Sequence, residues 1–196
     1  KQVRLRLQRK QQEPADLAGE LVSIRRDVAT GDSQVEVQDN ASFLSALSNL
    51  TARRLVATEG RDGSSVLVAE GGVKGRLEGN QFEAGKARWD RAKRVLDLQE
   101  LPRIREARGL EAAGFSIRTD ALKDRIEIRS APGLRAAVRL PPGEPGAAPG
   151  LAEADQIVVV TEDGAMQVEL LGAVRYVAGA VTTESAQMVA FATPHP

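Results

Sequence analysis

Residues 154–174 contain one complete structural unit. Ala154-Asp155-Gln156-Ile157 opens it, Glu162-Asp163-Gly164 interrupts it, Gln167-Val168-Glu169-Leu170 follows, and Gly172-Ala173-Val174 closes it. Val168 and Leu170 alternate with Gln167 and Glu169, the period of a strand with one wet and one dry face. Asp-Gly between two apolar runs signals a hairpin, because Gly takes up positive φ without a Cβ clash. The stretch predicts a strand, an acidic turn, a second strand, and a third short strand after the glycine.

The same grammar recurs along the chain. Gln34-Val35-Glu36-Val37-Gln38 and Arg125-Ile126-Glu127-Ile128-Arg129 alternate in the same way, and Ala29-Thr30-Gly31-Asp32 and Arg61-Asp62-Gly63-Ser64 supply further turns. A unit starting at Thr51-Ala52 runs through Asp62-Gly63 to Val66 and Val68 and ends at Gly72-Val73. Another runs from Glu83-Ala84-Gly85 through Asp90 to Leu96 and Leu98 and ends at Pro102, and a third from Ala112-Ala113-Gly114 through Asp120 to Ile126 and Ile128 and ends at Pro132. The opening alanines stand at 18, 52, 84, 113, 154 and 186, so the intervals are 34, 32, 29, 41 and 32. The long interval contains the Pro/Gly loop at 141–150. No unit of this size can bury its apolar face alone, whereas stacked units share one interior. Phe82, Trp89 and Leu96 recur every seven residues and would suit a helix, and Arg103–Ala113 has a helical composition. The β-rich equivalents of these stretches argue for strands there.

Composition narrows the function classes. In 196 residues, 27 Lys and Arg balance 27 Asp and Glu, which disfavours a general phosphate-backbone binder. Aromatic residues are 3%, too few for base-stacking platforms or carbohydrate clefts. Cys is absent, so no disulfide, thiol nucleophile or Cys metal site is expected. The single His, His195, leaves no triad or multi-His metal centre to assemble. No apolar run reaches the roughly 18 residues of a membrane span. The chain opens at Lys1, and removal of a signal or an anchor is the expectation there. Residues 1–17 read as a basic arm or an edge strand, with Val3, Leu5 and Leu7 alternating with Arg4 and Arg6.

The pattern of Ala, Asp-containing turn, alternating strand and closing Gly-x-Val or Pro-x-Ile resembles the OstA-like domain of lipopolysaccharide transport proteins. It is carried by Phe82-Glu83-Ala84-Gly85-Lys86-Ala87-Arg88-Trp89-Asp90 running to Val95-Leu96-Asp97-Leu98, and by Ala154-Asp155-Gln156-Ile157 running to Val174. That superfamily includes the periplasmic bridge component LptA, the inner-membrane-anchored LptC and the N-terminal domain of LptD. The resemblance implies an all-β fold, a single twisted antiparallel β-jellyroll or open roll over residues 18–196, built from hairpin-like repeats. It implies a periplasmic, non-enzymatic carrier of lipopolysaccharide acyl chains in an apolar groove, soluble or as the periplasmic part of an anchored protein. The implied partners are lipopolysaccharide or a related lipid, related jellyrolls joined by edge strands, and an inner-membrane complex; no nucleic acid, cofactor or metal is called for.

The groove candidates are Val66, Val68, Phe82, Trp89, Leu96, Leu98, Phe115, Ile126, Ile128, Val168, Leu170 and Tyr176. The edge-docking candidates are Val3, Leu5 and Leu7 at one end and Gln187, Val189 and Phe191 at the other, with Pro194 limiting further pairing. An apolar track suits acyl chains because each CH₂ left in water costs about 0.8 kcal/mol. Every one of these apolar residues also suits ordinary core packing. The alternative function is a structural β-repeat scaffold of the envelope or a phage tail, with a solid interior. Glu162-Asp163, Asp120 and Asp124 sit where turns need a carboxylate for the backbone, so they are read as structural. Gly71-Gly72-Val73-Lys74-Gly75 is not a phosphate loop, because no helix follows it.

Overall fold

The computed structural model describes residues 2–7, 14–77, 79–107, 109–142 and 148–192. His195, Pro194, the middle of the Pro/Gly loop and residues 8–13 of the basic N-terminal segment lie outside the described residues. Two compact units divide the chain, Lys1–Leu98 and Gln99–Pro196. Among the described residues there are seventeen strands and no helix. The first unit holds β1 (Val3–Leu7), β2 (Ala15–Gly19), β3 (Leu21–Arg26), β4 (Ser33–Leu44), β5 (Ser48–Glu59), β6 (Ser65–Leu77), β7 (Asn80–Asp90) and most of β8 (Val95–Gln99). The second holds β9 (Arg103–Arg105), β10 (Glu111–Ala113), β11 (Ser116–Asp120), β12 (Arg125–Arg129), β13 (Ala136–Leu140), β14 (Gly150–Ala154), β15 (Gln156–Glu162), β16 (Ala165–Ala178) and β17 (Val181–Ala192).

The fold is all-β and antiparallel, as the alternation predicts. In the first unit β1 pairs with β2, β4 with both β2 and β3, and then β4, β5, β6 and β7 pair in succession. In the second, β9–β10–β13–β14–β16 and β11–β12–β15–β16 form two ladders that meet on β16, which also carries β17. The helical look of Phe82–Leu98 and Arg103–Ala113 is overridden, and no described residue of either stretch is helical. The Pro/Gly loop joins β13 to β14, where Leu140 faces Gly150 across the hairpin.

The acidic turns work as backbone devices. Asp163 (φ 51°) and Gly164 (φ 81°) form the two-residue loop that brings Glu162 opposite Ala165. Asp27 Oδ1 accepts the N–H groups of Ala29 and Thr30 at 2.8 and 3.1 Å, and Asp62 Oδ1 accepts that of Ser64 at 2.9 Å. Asp90 accepts the Lys93 N–H at 3.2 Å and Asp120 the Leu122 N–H at 3.2 Å. Both turns repeat an Asp-x-x-Lys ion pair, Asp90–Lys93 at 3.5 Å and Asp120–Lys123 at 3.6 Å. Burial works to raise the Asp90 carboxyl. The Lys93 N–H and the charges of Lys93 and Arg88 outweigh it and hold the group below its ordinary value.

The repeat in the sequence marks a row of corners. Between Gln38 and Ala41, β4 inserts two left-handed residues, Asp39 (φ 55°) and Asn40 (φ 52°), where β5 has only Arg53. Gly71 (φ 82°) and Gly72 (φ 66°) of β6 do the same opposite Gly85 of β7. Gly172 (φ 74°) and Ala173 (φ 44°) of β16 do it opposite Ala186 of β17. Each is a two-against-one bulge, which bends a strand and increases its twist. The opening alanines sit at these bends. Ala18, Ala52, Ala84 and Ala154 are all buried there, with Ala52 paired to Ala41 and Ala84 to Val73.

A charge ladder crosses the outer face of the first unit. Glu36 of β4, Arg54 of β5, Glu70 of β6 and Lys86 of β7 are linked in series at 2.7, 2.9 and 2.7 Å. Arg54, then Gln38, holds the Glu36 carboxyl below its ordinary value, and Lys86, then Arg54, does so for Glu70. A lowered carboxylate contributes stability above its unfolded pKa and loses it as pH falls through the folded one. The melting temperature is therefore expected to drop on acidification below the ordinary carboxylate range. Glu36→Gln combined with Glu70→Gln should be less stable than the parent at neutral pH and converge with it in acid. Melting curves across that range are the check, and a gap independent of pH would exclude the ladder as its source.

Candidate functional site: apolar rows and open edges

The interior of each unit is organised across the strands rather than along them. In the first unit, cross-strand register aligns Ile24, Val35, Ala57, Leu67 and Trp89 in one row, and Val22, Val37, Leu55, Ala69 and Ala87 in the next. Most members are buried, yet the β3 end emerges: Ile24 is 61% exposed and Val22 half-buried. In the second unit the rows are Thr119, Ile126, Val159, Val168 and Ala190, and Ile117, Ile128, Ile157, Leu170 and Met188. Ile117, Ile128, Ile157, Val168 and Leu170 are almost wholly buried, whereas Met188 and Ala190 on β17 are half-buried. Each unit thus carries two largely apolar rows that run from buried residues to a less covered strand.

Of the groove candidates, Phe82, Leu96, Leu98, Ile126, Ile128, Val168 and Leu170 are buried. Trp89 and Tyr176 are half-buried. Phe43 and Trp89 meet edge to face at 6.0 Å, and the Arg91 guanidinium lies 5.5 Å from the Trp89 ring centre. Phe43, Trp89, Phe82, Leu67 and Leu96 line, with Ser48, Asn49 and Arg76, a space of only about 10 Å³. That is scarcely room for one water.

Two expectations about facing are corrected. Val66 and Val68 are half-buried and alternate with buried Leu67 and Ala69, so the dry face of β6 is the other one. The run Val66-Leu67-Val68-Ala69 is apolar on both faces, and its phase is set by neighbours such as Arg88 opposite Val68. Phe115 is 51% exposed at a bend and stands outside the buried set. The row members Leu55, Leu67, Ile157 and Val159 were not singled out from sequence, because cross-strand register cannot be read from one strand's alternation.

The docking candidates lie on two edges. In β1, Leu5 faces fully buried Leu17 and is itself half-buried, as is Leu7, while Val3 is exposed along with Arg4 and Arg6 on the opposite face. Within its unit β17 pairs with β16 alone. Gln187, Val189 and Phe191 share its outer face and are all exposed, Phe191 at 74%. Within its unit this leaves one backbone edge of β17 unpaired, a template for another strand.

Among the described residues, no three His, Cys, Asp or Glu side chains are grouped to hold a metal ion, and no helix is long and apolar enough to cross a membrane. An open polar groove of about 500 Å³ lies at the corners, lined by Asp39, Asn40, Thr51, Arg53, Gly71 and Gly72. No family model and no curated protein matches the sequence. Among solved structures, the chain is similar to LptH of Pseudomonas aeruginosa, described as the LptA-homologous periplasmic component of the lipopolysaccharide transport device. The two share 13% identity over 91% of this chain and 94% of that one, with a TM-score of 0.31.

Proposed function

We propose that this chain is a non-enzymatic periplasmic module that carries lipopolysaccharide acyl chains along its apolar rows and joins related modules through its edge strands. The observation that carries the reading is the emergence of the rows at β3 and β17, where inner-face Ile24, Val22, Met188 and Ala190 are left incompletely covered. A carrier needs an apolar track continuous with an opening, and a bond-making site is not required for lipid transfer. Mass spectrometry of protein gently purified from its own host should find a lipid with several acyl chains. Purification without lipid, together with no uptake from lipopolysaccharide micelles, would sink the carrier reading.

For the edges, Val189→Pro removes a backbone donor from β17. It is expected to abolish association with a related module while leaving the melting temperature within a few degrees of the parent. Light scattering or pull-down reads it, and unchanged association would assign docking to another edge. The solid scaffold remains as a second reading. It is favoured by the closed packing around Trp89, where about 10 Å³ is free. Trp89 is the single tryptophan, so lipid entry at that end should shift its emission, whereas a scaffold should show no change.

A further inference from the structure

The unpaired edge of β17 carries a hydroxyl that occupies part of it. Leu171 of β16 pairs with Gln187, and the Leu171 carbonyl is turned the other way, accepting the Asp155 N–H at 3.1 Å. Where one residue of an antiparallel pair turns its N–H and C=O away from its partner, the partner does the same. The N–H and C=O of Gln187 therefore point to the unpaired edge, and by the same alternation so do those of Val189 and Phe191. One side chain takes both Gln187 groups. The Gln187 N–H donates to Ser185 Oγ at 3.1 Å, and the Ser185 hydroxyl donates to the Gln187 carbonyl at 2.5 Å. A serine hydroxyl donates and accepts at once, so it gives Gln187 the two bonds that a neighbouring strand would give.

The first unit has the same corner with that edge filled. Ala52 pairs with Ala41 and Arg54 with Gln38 across Asp39-Asn40, as Ser185 pairs with Val174 and Gln187 with Leu171 across Gly172-Ala173. The Gln38 carbonyl accepts the Glu20 N–H at 3.1 Å, as that of Leu171 accepts the Asp155 N–H. Arg54 thus corresponds to Gln187, and its outward side is paired with Glu70 of β6. Ala52 corresponds to Ser185. Alanine stands where the next strand is built in, and serine stands where it is not. Ser185 is exposed, so core packing does not account for it. We propose that Ser185 is the gate of the docking edge: a strand that pairs past Val189 to the corner must displace its hydroxyl from Gln187, so Ser185 sets how far and how tightly that strand pairs. The inference rests on β17 being the docking edge. The occupant is an edge strand of a second copy, which can supply one because β3 pairs with β4 alone within its unit.

Light scattering of the full chain reads its self-association. Ser185→Ala frees both Gln187 groups and should strengthen association about fivefold, the effect of one ordinary hydrogen bond. Ser185→Thr keeps the hydroxyl and should match the parent. The sign is diagnostic, because a serine that only contributed contacts would weaken association when truncated. Hydrogen exchange reads the gate without docking. In a Val189→Pro background, which removes an edge donor, adding Ser185→Ala should speed exchange of the Gln187 amide about fivefold. Tighter association together with faster Gln187 exchange supports the proposal. If Val189→Pro abolishes association while Ser185→Ala leaves it unchanged or weakens it, the gate is overturned and the docking edge stands. If neither change moves association, both are overturned. A chain that stays monomeric with and without Ser185→Ala, or Gln187 exchange that Ser185→Ala does not alter, also overturns the gate.

Discussion

Replacing Val168 by Asp is expected to cost about 4 kcal/mol, a large share of the stability of an ordinary domain. Val168 is fully buried on β16, between Val159 of β15 and Ala190 of β17. The cross-strand neighbours Val159 and Ala190 have no side-chain donor for a carboxylate, and burial strongly disfavours its charged form. The sign of the pH dependence follows. The folded-state pKa of the new carboxyl lies above its unfolded value of about 3.9, so the deficit is largest at neutral pH and shrinks as pH falls toward that value. Urea unfolding at neutral and mildly acidic pH would measure it. A deficit below about 1 kcal/mol would show that water reaches the row, as an open groove would allow. Lipid capture is better examined with Val168→Thr, which keeps the shape and adds one hydroxyl.

Gly71→Val is expected to cost about 2–4 kcal/mol, through crowding and conformation together. A Cβ there would lie 2.8 Å from Cβ of Arg53, in a backbone with φ of +82°. Gly63 has φ of +88° but nothing within 4 Å of such a Cβ. Gly63→Ala should therefore cost only about 1 kcal/mol, the conformational part alone. Thermal unfolding of the two variants separates the effects. Equal losses would mean that the corner is not close-packed and that its glycine serves only the backbone angle.

Sequence revealed the strands wherever one face was charged. Ile126 and Ile128 between Arg125, Glu127 and Arg129, and Val168 and Leu170 between Gln167 and Glu169, point inward as their alternation requires. Where a run is apolar on both faces, as at Val66–Ala69, alternation fixes the period and leaves the phase to neighbouring strands. The repeat was legible as a spacing of alanines, but its cause was not. Left-handed residue pairs are written as Asp39-Asn40, Gly71-Gly72, Glu100-Leu101 and Gly172-Ala173, which share conformation and no single residue type. The interior rows were half legible for a related reason. Each strand supplied one or two members, and register between strands chose which members meet.

The order of pairing has a consequence for how the chain acquires its structure. Once β2 and β3 are taken as one bent strand, each long strand of the first unit from there to β7 pairs with the one just before it. With β14 and β15 also taken as one bent strand, β16 and β17 follow the same order in the second. Few residues separate the partners, so little loop entropy opposes each addition. Such a chain can be wound up from its N-terminal end while the rest is still being synthesised or threaded through a pore, since each arriving strand finds its partner already out. Proteolysis of stalled nascent chains should then show protection advancing one strand at a time, and protection arriving all at once with the last strand would refute vectorial winding.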